Sequence, residues 1–429
     1  MEKLDATNEI SEKKNFKKFV LKEVLDKVGF GFGSQQFINV LLFLSGASLF
    51  LVGIVNGLKA VLSILFGILT AEYDRCKRIS KRVIGLSGIL FGFSFLFMAF
   101  GKFINSPFVF SIAVILSGIS IVVYGDFSQK FFFIGKKKEI LEKIAQYGLI
   151  ITAMSLFLSA LVMDKYAENS FFFLTVLGKS FIIKLPGYLI AFEIAAIAFI
   201  LSGHFLASVG DDDVTSGNQF SFSQLFSDIK QKLKGIFGNK FLLTLFMFSI
   251  VAGLVQVVGN SYYGIFIYQN FKNSNFGGFM NIAIVFLIGV FSSLIGYFIT
   301  KLNTRSYGSI SMILMGSLFL SLMPLAYFLG TSLAWLTAGT IMGVIGAAAL
   351  GISTNMMIIE NLQEQDRRYY YVSNGLLSII PYLVLVPLFS YLAQLKGLNI
   401  LFLILSIILV ISTILVLFSY KITRTNIKS

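Results

Sequence analysis

Several residue types are scarce in this chain of 429 residues, and each scarcity excludes a class of protein. Only 13% of the residues are charged, against about a quarter in soluble globular domains, so a soluble globule is excluded. A single cysteine, Cys76, and a single histidine, His204, exclude a disulfide framework and the common zinc sites, which need three or four protein ligands. No glycine-rich nucleotide loop with its lysine is present, which argues against pumping driven by ATP. We expect neither a cofactor nor a metal.

Long apolar runs dominate the rest of the chain. Hydrophobic residues make up 56% of it and the mean hydropathy is +0.84. A helix needs about 20 apolar residues to cross a bilayer. The runs predict twelve membrane spans, at residues 24–44, 47–71, 83–100, 107–124, 148–163, 185–205, 241–268, 279–300, 309–329, 332–357, 372–393 and 398–420.

The spans predict an all-α membrane protein of two six-helix halves. A polar stretch with Asp211, Asp212 and Asp213 separates the halves, and apolar residues recur at helical spacing after it, which predicts an amphipathic helix on the membrane surface. The predicted segments are a cytoplasmic N-terminal segment (1–23), the first half (24–206), the linker (207–240), the second half (241–420) and a cytoplasmic tail (421–429).

The positive charge of the chain predicts its orientation. Most Lys and Arg residues fall in the segments that are inside if the N-terminus is cytoplasmic, whereas the other loops keep only Lys102, Lys165, Lys179, Lys184, Lys272 and Lys396. Both termini are therefore expected in the cytoplasm of a multi-pass cell-membrane protein. We call the extracellular end of each predicted span its outer end. The net charge of +14 is scattered among short loops, which argues against nucleic-acid binding.

Two short basic turns occupy matching places in the two halves. Gly67 precedes an acidic and basic run with Asp74, Arg75 and Arg78, and Gly296 precedes Lys301 and Arg305. Both turns resemble the loop between the second and third helices of each half of a major facilitator superfamily transporter. Ala71 and Thr300 stand where that pattern has its acid. The resemblance implies a gating role for the residues of both turns, and the alternative is that their charges only orient the chain.

The resemblance also implies a fold and a function. It predicts two halves around a central cavity, and secondary transport of a small organic solute by alternating access, coupled to a proton or sodium gradient or uncoupled. We expect a membrane-lipid environment and a functional monomer. A flippase for lipid or lysolipid is the alternative. An enzyme is not expected, because no nucleophile with its base can be assembled from the spans.

Polar side chains at helical spacing are the candidates for the cavity wall. They lie on the first, second, seventh and eleventh spans: Gln36, Asn39, Asn56, Lys59, Gln256, Asn260, Tyr263, Asn374 and Tyr382. The alternative is that such groups only join helices, through hydrogen bonds that contribute about 0.6 kcal/mol each.

Two ionisable residues lie deep in predicted spans. Lys59 and Glu193 each need a partner or water, since a charge at the bilayer centre costs about 2.5 to 3.5 kcal/mol. Lys59 either attracts an anionic substrate or forms a structural pair. Glu193 and Asp26, the latter near the inner end of the first span, are the candidates for ion or proton coupling, with a structural role as the alternative.

Overall fold

The structure is a computed structural model of the whole chain. It describes residues 2–76, 79–130, 138–166, 171–176, 179–208, 227, 238–274 and 276–428. Within these ranges, the side chains of residues 2–15, 74–76, 126–130, 138–146, 171–176, 179–184, 301–307 and 423–428 are not described. Nearly all of the predicted linker, with its amphipathic helix, therefore lies outside the described residues.

Helices make up almost all of the described chain. Their bounds are α1 Glu2–Phe32, α2 Gln35–Leu44, α3 Leu49–Cys76, α4 Lys81–Phe103, α5 Pro107–Lys130, α6 Lys138–Lys165, α7 Gly187–Ala207, α8 Lys240–Phe271, α9 Gly278–Leu329, α10 Leu333–Asn361, α11 Glu364–Lys396 and α12 Leu398–Lys428. Gly308, at φ 75°, interrupts α9 and divides it into two arms, Gly278–Thr300 and Gly308–Leu329.

Eleven helical segments of the described chain are long and apolar enough to cross a membrane. They coincide with the predicted second to twelfth spans, so the all-α membrane fold is confirmed. The first predicted span is divided between α1 and α2 at Gly33 and Ser34. Gly29 and Gly31 precede the break, and a Cβ on Gly33, within it, would overlap with the ring of Phe95.

A two-stranded hairpin follows α6 and was not predicted from the sequence. Strand β1, Phe171–Val176, pairs antiparallel with β2, Lys179–Lys184, in the register Phe171 opposite Lys184. The strand sequences FFFLTV and KSFIIK are rich in aromatic and β-branched residues, which favour extended backbone. At six residues each, they are far too short to span a bilayer as helices.

The helices form two compact units. The first consists of Met1–Ala47, Leu69–Phe220 and Phe276–Ala283, and the second of Ser48–Ile68, Ser221–Asn275 and Ile284–Ser429. The units differ from the predicted halves in two places, because most of α3 packs in the second unit and the first residues of α9 pack in the first.

Small residues set the packing of the first unit, where α4 and α7 lie in close contact. A Cβ on Gly85 would meet the carbonyl of Gly203 at 2.6 Å, and one on Gly92 would meet the carbonyl of Ala196 at 2.8 Å. Glycines at such spacing let two helices approach closely within a bilayer. Phenylalanine rings fill the space beside this contact, with Phe91 and Phe199 at 4.5 Å between centroids.

An aromatic cluster forms the core of the second unit. The ring of Tyr263 in α8 stacks on Phe402 of α12 at 5.2 Å, and Tyr327 in the second arm of α9 lies 4.4 Å from Tyr263. All three side chains are buried. Aromatic pairs at these distances contribute about 0.5 to 1.5 kcal/mol beyond the area they bury.

Helix α3 packs along α11 in the second unit through its glycines. A Cβ on Gly53 would overlap with Ser390 Oγ and Tyr262 Oη, and one on Gly57 would meet Val386 Cγ1 at 3.1 Å. On the other helix, Gly375 faces Ile68 in the same way, with 3.2 Å to Ile68 Cδ1. The two helices therefore run antiparallel in contact between residues 53–68 of α3 and residues 375–390 of α11.

We expect Gly53→Ala to destabilise the protein by about 1 to 3 kcal/mol, because the added methyl group overpacks the contact between α3 and α11. The matched control is Gly351→Ala in α10, where a Cβ meets nothing within 4 Å and where alanine favours the helix. Thermal unfolding of the purified variants measures both effects. Equal midpoints for the two variants would contradict the close contact.

Candidate functional site

Two predicted cavity residues lie on α2, directly after the break in the first span. Gln36 and Asn39 are buried, and the Gln35 side chain donates to Asn39 Oδ1 at 2.9 Å. The hydroxyl of Ser159 in α6 donates to the carbonyl of Phe32, where α1 ends, at 3.3 Å. Backbone groups freed by a break within the membrane need such partners. The break thus buries polar side chains within the first unit.

The polar residues of α3 lie on a different side of the helix from its glycines. At 100° per residue, Asn56, Lys59 and Ser63 are centred roughly 120° from the face that packs against α11. Asn56 is buried and donates to the carbonyl of Val52 at 3.0 Å, whereas Lys59 is half-buried. Lys59 follows Leu49 by ten residues, or about 15 Å along the axis. The backbone of Lys59 therefore lies in the apolar middle of the span.

Helix α8 carries two exposed amide side chains at its centre. Gln256 and Asn260 lie four residues apart on one face and are exposed, although the most apolar 18-residue window of this 32-residue helix has a mean hydropathy of 2.4. Gln256 is about 24 Å from either end of the helix at 1.5 Å per residue. A polar side chain at that depth is costly in lipid, so this face has to meet water or protein.

The other predicted residues of the second unit have partners within it. Asn374 in α11 donates to the carbonyl of Phe246 in α8 at 3.2 Å. Tyr382 is buried, and a Cβ on Gly253 of α8 would lie 2.5 Å from its hydroxyl oxygen. Tyr263 belongs to the aromatic cluster with Tyr327 and Phe402. These residues stabilise the contacts of α8, and we do not carry Tyr263 into the proposed cavity.

Asp26 lies in a buried polar cluster of the first unit. Its Oδ1 accepts hydrogen bonds from Tyr124 Oη at 2.8 Å and from Ser202 Oγ at 2.6 Å. Its Oδ2 pairs with Lys22 Nζ at 2.8 Å, and Lys22 also pairs with Glu23 at 2.8 Å. The cluster joins α1, α5 and α7, and we call these residues, Lys22, Glu23, Asp26, Tyr124 and Ser202, the Asp26 cluster.

Two opposing effects act on the pKa of Lys22. Burial lowers the pKa of the ammonium group, but the carboxylates of Asp26 and Glu23 outweigh this effect and raise the pKa above its ordinary value. Lys22 therefore stays protonated at neutral pH. Its Nζ also lies 5.2 Å from the centroid of the Tyr124 ring, which adds a cation–π contact.

Sequence reasoning missed the partners of Asp26. Lys22 precedes Asp26 by one helical turn, which was a local signal. Tyr124 and Ser202 lie 98 and 176 residues from Asp26, and no pattern in the sequence connects them. The predicted coupling role of Asp26 stays a prediction.

The structure describes Glu193 and the predicted gating residues less completely. Glu193 is half-buried in α7, Gly67 is half-buried in α3, and Gly296 is buried, with a Cβ there 2.9 Å from Ala348 Cβ of α10. The side chains of Asp74, Arg75, Lys301 and Arg305, and the whole of Arg78, lie outside the described residues. Gating by the two basic turns therefore stays a prediction.

No family model and no curated protein matches the sequence, but solved structures match the fold. A point mutant of the nucleoside transporter NupG has a TM-score of 0.73 at 13% identity, covering 95% of this chain and 100% of that one. A structure from work on proton-dependent oligopeptide transporters has a TM-score of 0.63 at 12% identity, covering 96% and 99%. The xylose transporter XylE from E. coli, described as partially occluded and inward open, has 0.60 at 14%, covering 94% and 99%.

The chain has the major facilitator fold. The match covers nearly the whole of this chain and nearly the whole of each neighbour, so the resemblance carried by the two basic turns is confirmed for the fold. The three matched structures are described as transporters of solutes and none as an enzyme. None of the three descriptions mentions lipid transport, and nothing in them favours the flippase alternative.

We expect Asp26→Asn to destabilise the protein by about 3 kcal/mol, because breaking a buried ion pair leaves Lys22 with less compensation for its burial. The matched control, Glu23→Gln, removes the more exposed partner of Lys22 and should cost less than about 1 kcal/mol. Chemical denaturation in detergent measures both. If the Asp26→Asn protein is stable and its transport no longer depends on an ion gradient, that result would instead support the predicted role of Asp26 in coupling.

Proposed function

We propose that this protein is a secondary transporter that moves a small, polar organic solute across the cell membrane by alternating access. The support is the major facilitator fold over the length of the chain, together with solved neighbours that transport nucleosides, oligopeptides and xylose. The positive charge of the predicted inner segments supports the cytoplasmic placement of both termini.

The exposed amides of α8 are the observation that carries the proposal. A protein with only structural polar groups would bury Gln256 and Asn260 between helices, as it buries Ser261 and Ser406. An exposed amide pair at the centre of a long apolar helix is instead suited to a water-filled pathway. Amide side chains can both donate and accept, which suits the hydroxyl, carbonyl and amine groups of small polar solutes.

Lys59 gives the proposed pathway a charge preference. A cation on a polar helix face within low-dielectric walls raises the local concentration of anions, because such walls focus its field. We therefore infer that the solute carries a negative group or a strongly polar acceptor. Asn56 and Ser63 on the same face add polar groups for the rest of the solute.

Coupling to a proton gradient is the transport mode that we propose. One matched neighbour is described as proton-dependent, and Glu193, a half-buried carboxyl group in α7, is the residue to which we assign the coupling role. Glu193→Gln should then allow downhill exchange of the solute but not uphill transport. Transport driven by an imposed proton gradient in proteoliposomes, compared with counterflow, separates these two modes.

Cysteines placed at the exposed amides should react with water-soluble reagents. In a Cys76→Ser background, we expect Gln256→Cys and Asn260→Cys to react with a membrane-impermeant maleimide, because thiolates form only in contact with water. Met247→Cys is the matched control, since Met247 is exposed on the opposite face of the same helix and should meet lipid. Equal labelling of all three positions, or none at 256 and 260, would contradict the pathway.

We expect Lys59→Gln to abolish uptake or export of an anionic substrate while membrane insertion and expression stay normal. Gln keeps much of the side-chain length and loses the charge, so the focused attraction for anions is removed. Lys396→Gln, at an exposed position at the end of α11, is the control and should transport normally. A thermal-shift screen of anionic metabolites against both variants finds the substrate. Wild-type transport by a folded Lys59→Gln variant would remove Lys59 from the site.

A further inference from the structure

The first turn of α9 receives its cap from another helix. The amide of Phe279 donates to Asp164 Oδ1 at 3.0 Å, and the amide of Met280 donates to Asp164 Oδ2 at 2.7 Å. Asp164 lies at the end of α6, 115 residues earlier in the chain. We call this pair of bonds the Asp164 cap. Both partners lie in the first compact unit.

The local sequence of α9 explains why the cap comes from a distant residue. The first amides of any helix lack partners within it, and a Ser, Thr, Asp or Asn directly before the helix usually accepts from them. Gly277 occupies that place, has no side chain and adopts φ +112°. A Cβ on Gly277 would lie 2.8 Å from Asp164 Oδ2. The glycine therefore leaves space for the carboxylate, whose charge also suits the positive end of the helix.

Further contacts hold the same turn. Asn281 Oδ1 accepts from the amide of Phe276 at 3.2 Å, and Asn281 is fully buried. The ring of Phe279 meets Phe37 of α2 edge to face at 5.7 Å. These contacts fix residues 276–283 within the first unit, whereas α9 from Ile284 onward packs in the second. The Asp164 cap thus holds the first turn of α9 in the first unit, although most of α9 belongs to the second unit.

We propose that Asp164 is a positioning residue of the transport cycle, and that the Asp164 cap at the outer end of α9 breaks and reforms in each cycle. The inference rests on the proposed function, because alternating access requires contacts between the two predicted halves to change on each side of the membrane in turn. The cap joins the two predicted halves through α6 and α9. Breaking it releases the first turn of α9, and reforming it returns that turn to α6 and α2.

Distance measurements between α6 and α9 test the proposal directly. In a Cys76→Ser background, spin labels at Lys165→Cys and Phe276→Cys, both exposed positions, report whether the cap is formed. We expect Asp164→Ala to raise the ratio of long to short distances roughly two- to thirtyfold, the range of measured cap losses. Asp164→Asn keeps one acceptor oxygen and should fall between the wild type and Asp164→Ala.

Asn239 supplies a matched control for the loss of a helix cap. Its side chain accepts from the amides of Phe241 and Leu242 at 3.0 and 3.3 Å, so it caps its own helix, α8, and joins no distant helices. Asn239→Ala should lower thermal stability but leave the distances between the labels unchanged. If Asp164→Ala does not fold, the ratio of long to short distances in Asp164→Asn tests the proposal in its place.

Transport kinetics in proteoliposomes add a second readout. A changed balance of states should change kcat and KM of Asp164→Asn in different proportions, whereas Asn239→Ala should leave both near the wild-type values. Unchanged distances in a folded Asp164→Ala variant would overturn the proposal and leave the transport function untouched. Conversely, the distance measurement needs no substrate, so failure to find a transported solute would count against the proposed function and not against the cap.

Discussion

A bilayer offers no hydrogen-bond partner to a polar group, and this constraint governs the whole structure. Hydroxyl groups within the spans find a partner in the backbone of their own helix, as Thr300 does by donating to the carbonyl of Gly296 at 2.7 Å. The broken first span needs a distant partner, and Ser159 supplies it at the carbonyl of Phe32. The Asp26 cluster does the same for charges, since each oxygen of that carboxylate has its partner. Polar groups that remain exposed at mid-span are then informative, because lipid does not suit an exposed polar side chain.

Close helix packing is the second condition that the bilayer imposes. Lipid tails are as apolar as the helices, so helices associate through shape and not through the exclusion of water. Glycine permits the closest approach, and the pairs Gly85 with Gly203 and Gly316 with Gly346 place backbone against backbone. Gly53 serves the same purpose between α3 and α11. The aromatic rings of the second unit then fill the wider spaces, where small residues would leave cavities.

The fold could be predicted from the sequence because apolar run length alone determines most of the spans. The prediction failed where local backbone chemistry outweighs hydropathy, at the break before Gln35 and in the hairpin that begins at Phe171. For the candidate site, periodicity placed Gln256 and Asn260 on one face, and the structure exposes both. Periodicity could not distinguish these two exposed residues from Tyr263, which lies nearby on the same helix but is buried in the aromatic cluster. Which side of a helix meets water depends on neighbouring helices, and those contacts join residues far apart in sequence.

Three charged side chains near the ends of the spans, those of Lys18, Lys102 and Asp164, pair with the ends of other helices. Lys18 donates to the carbonyl of Ser208 at the end of α7, and Lys102 donates to the carbonyl of Leu44 at the end of α2, both at 2.8 Å. The negative charge of Asp164 instead meets the start of α9. Each sign suits the dipole of the helix end that it contacts. The two lysines join helices of one predicted half and can persist throughout a cycle. Asp164 joins helices of different halves, so the same physical interaction becomes one that alternating access has to break.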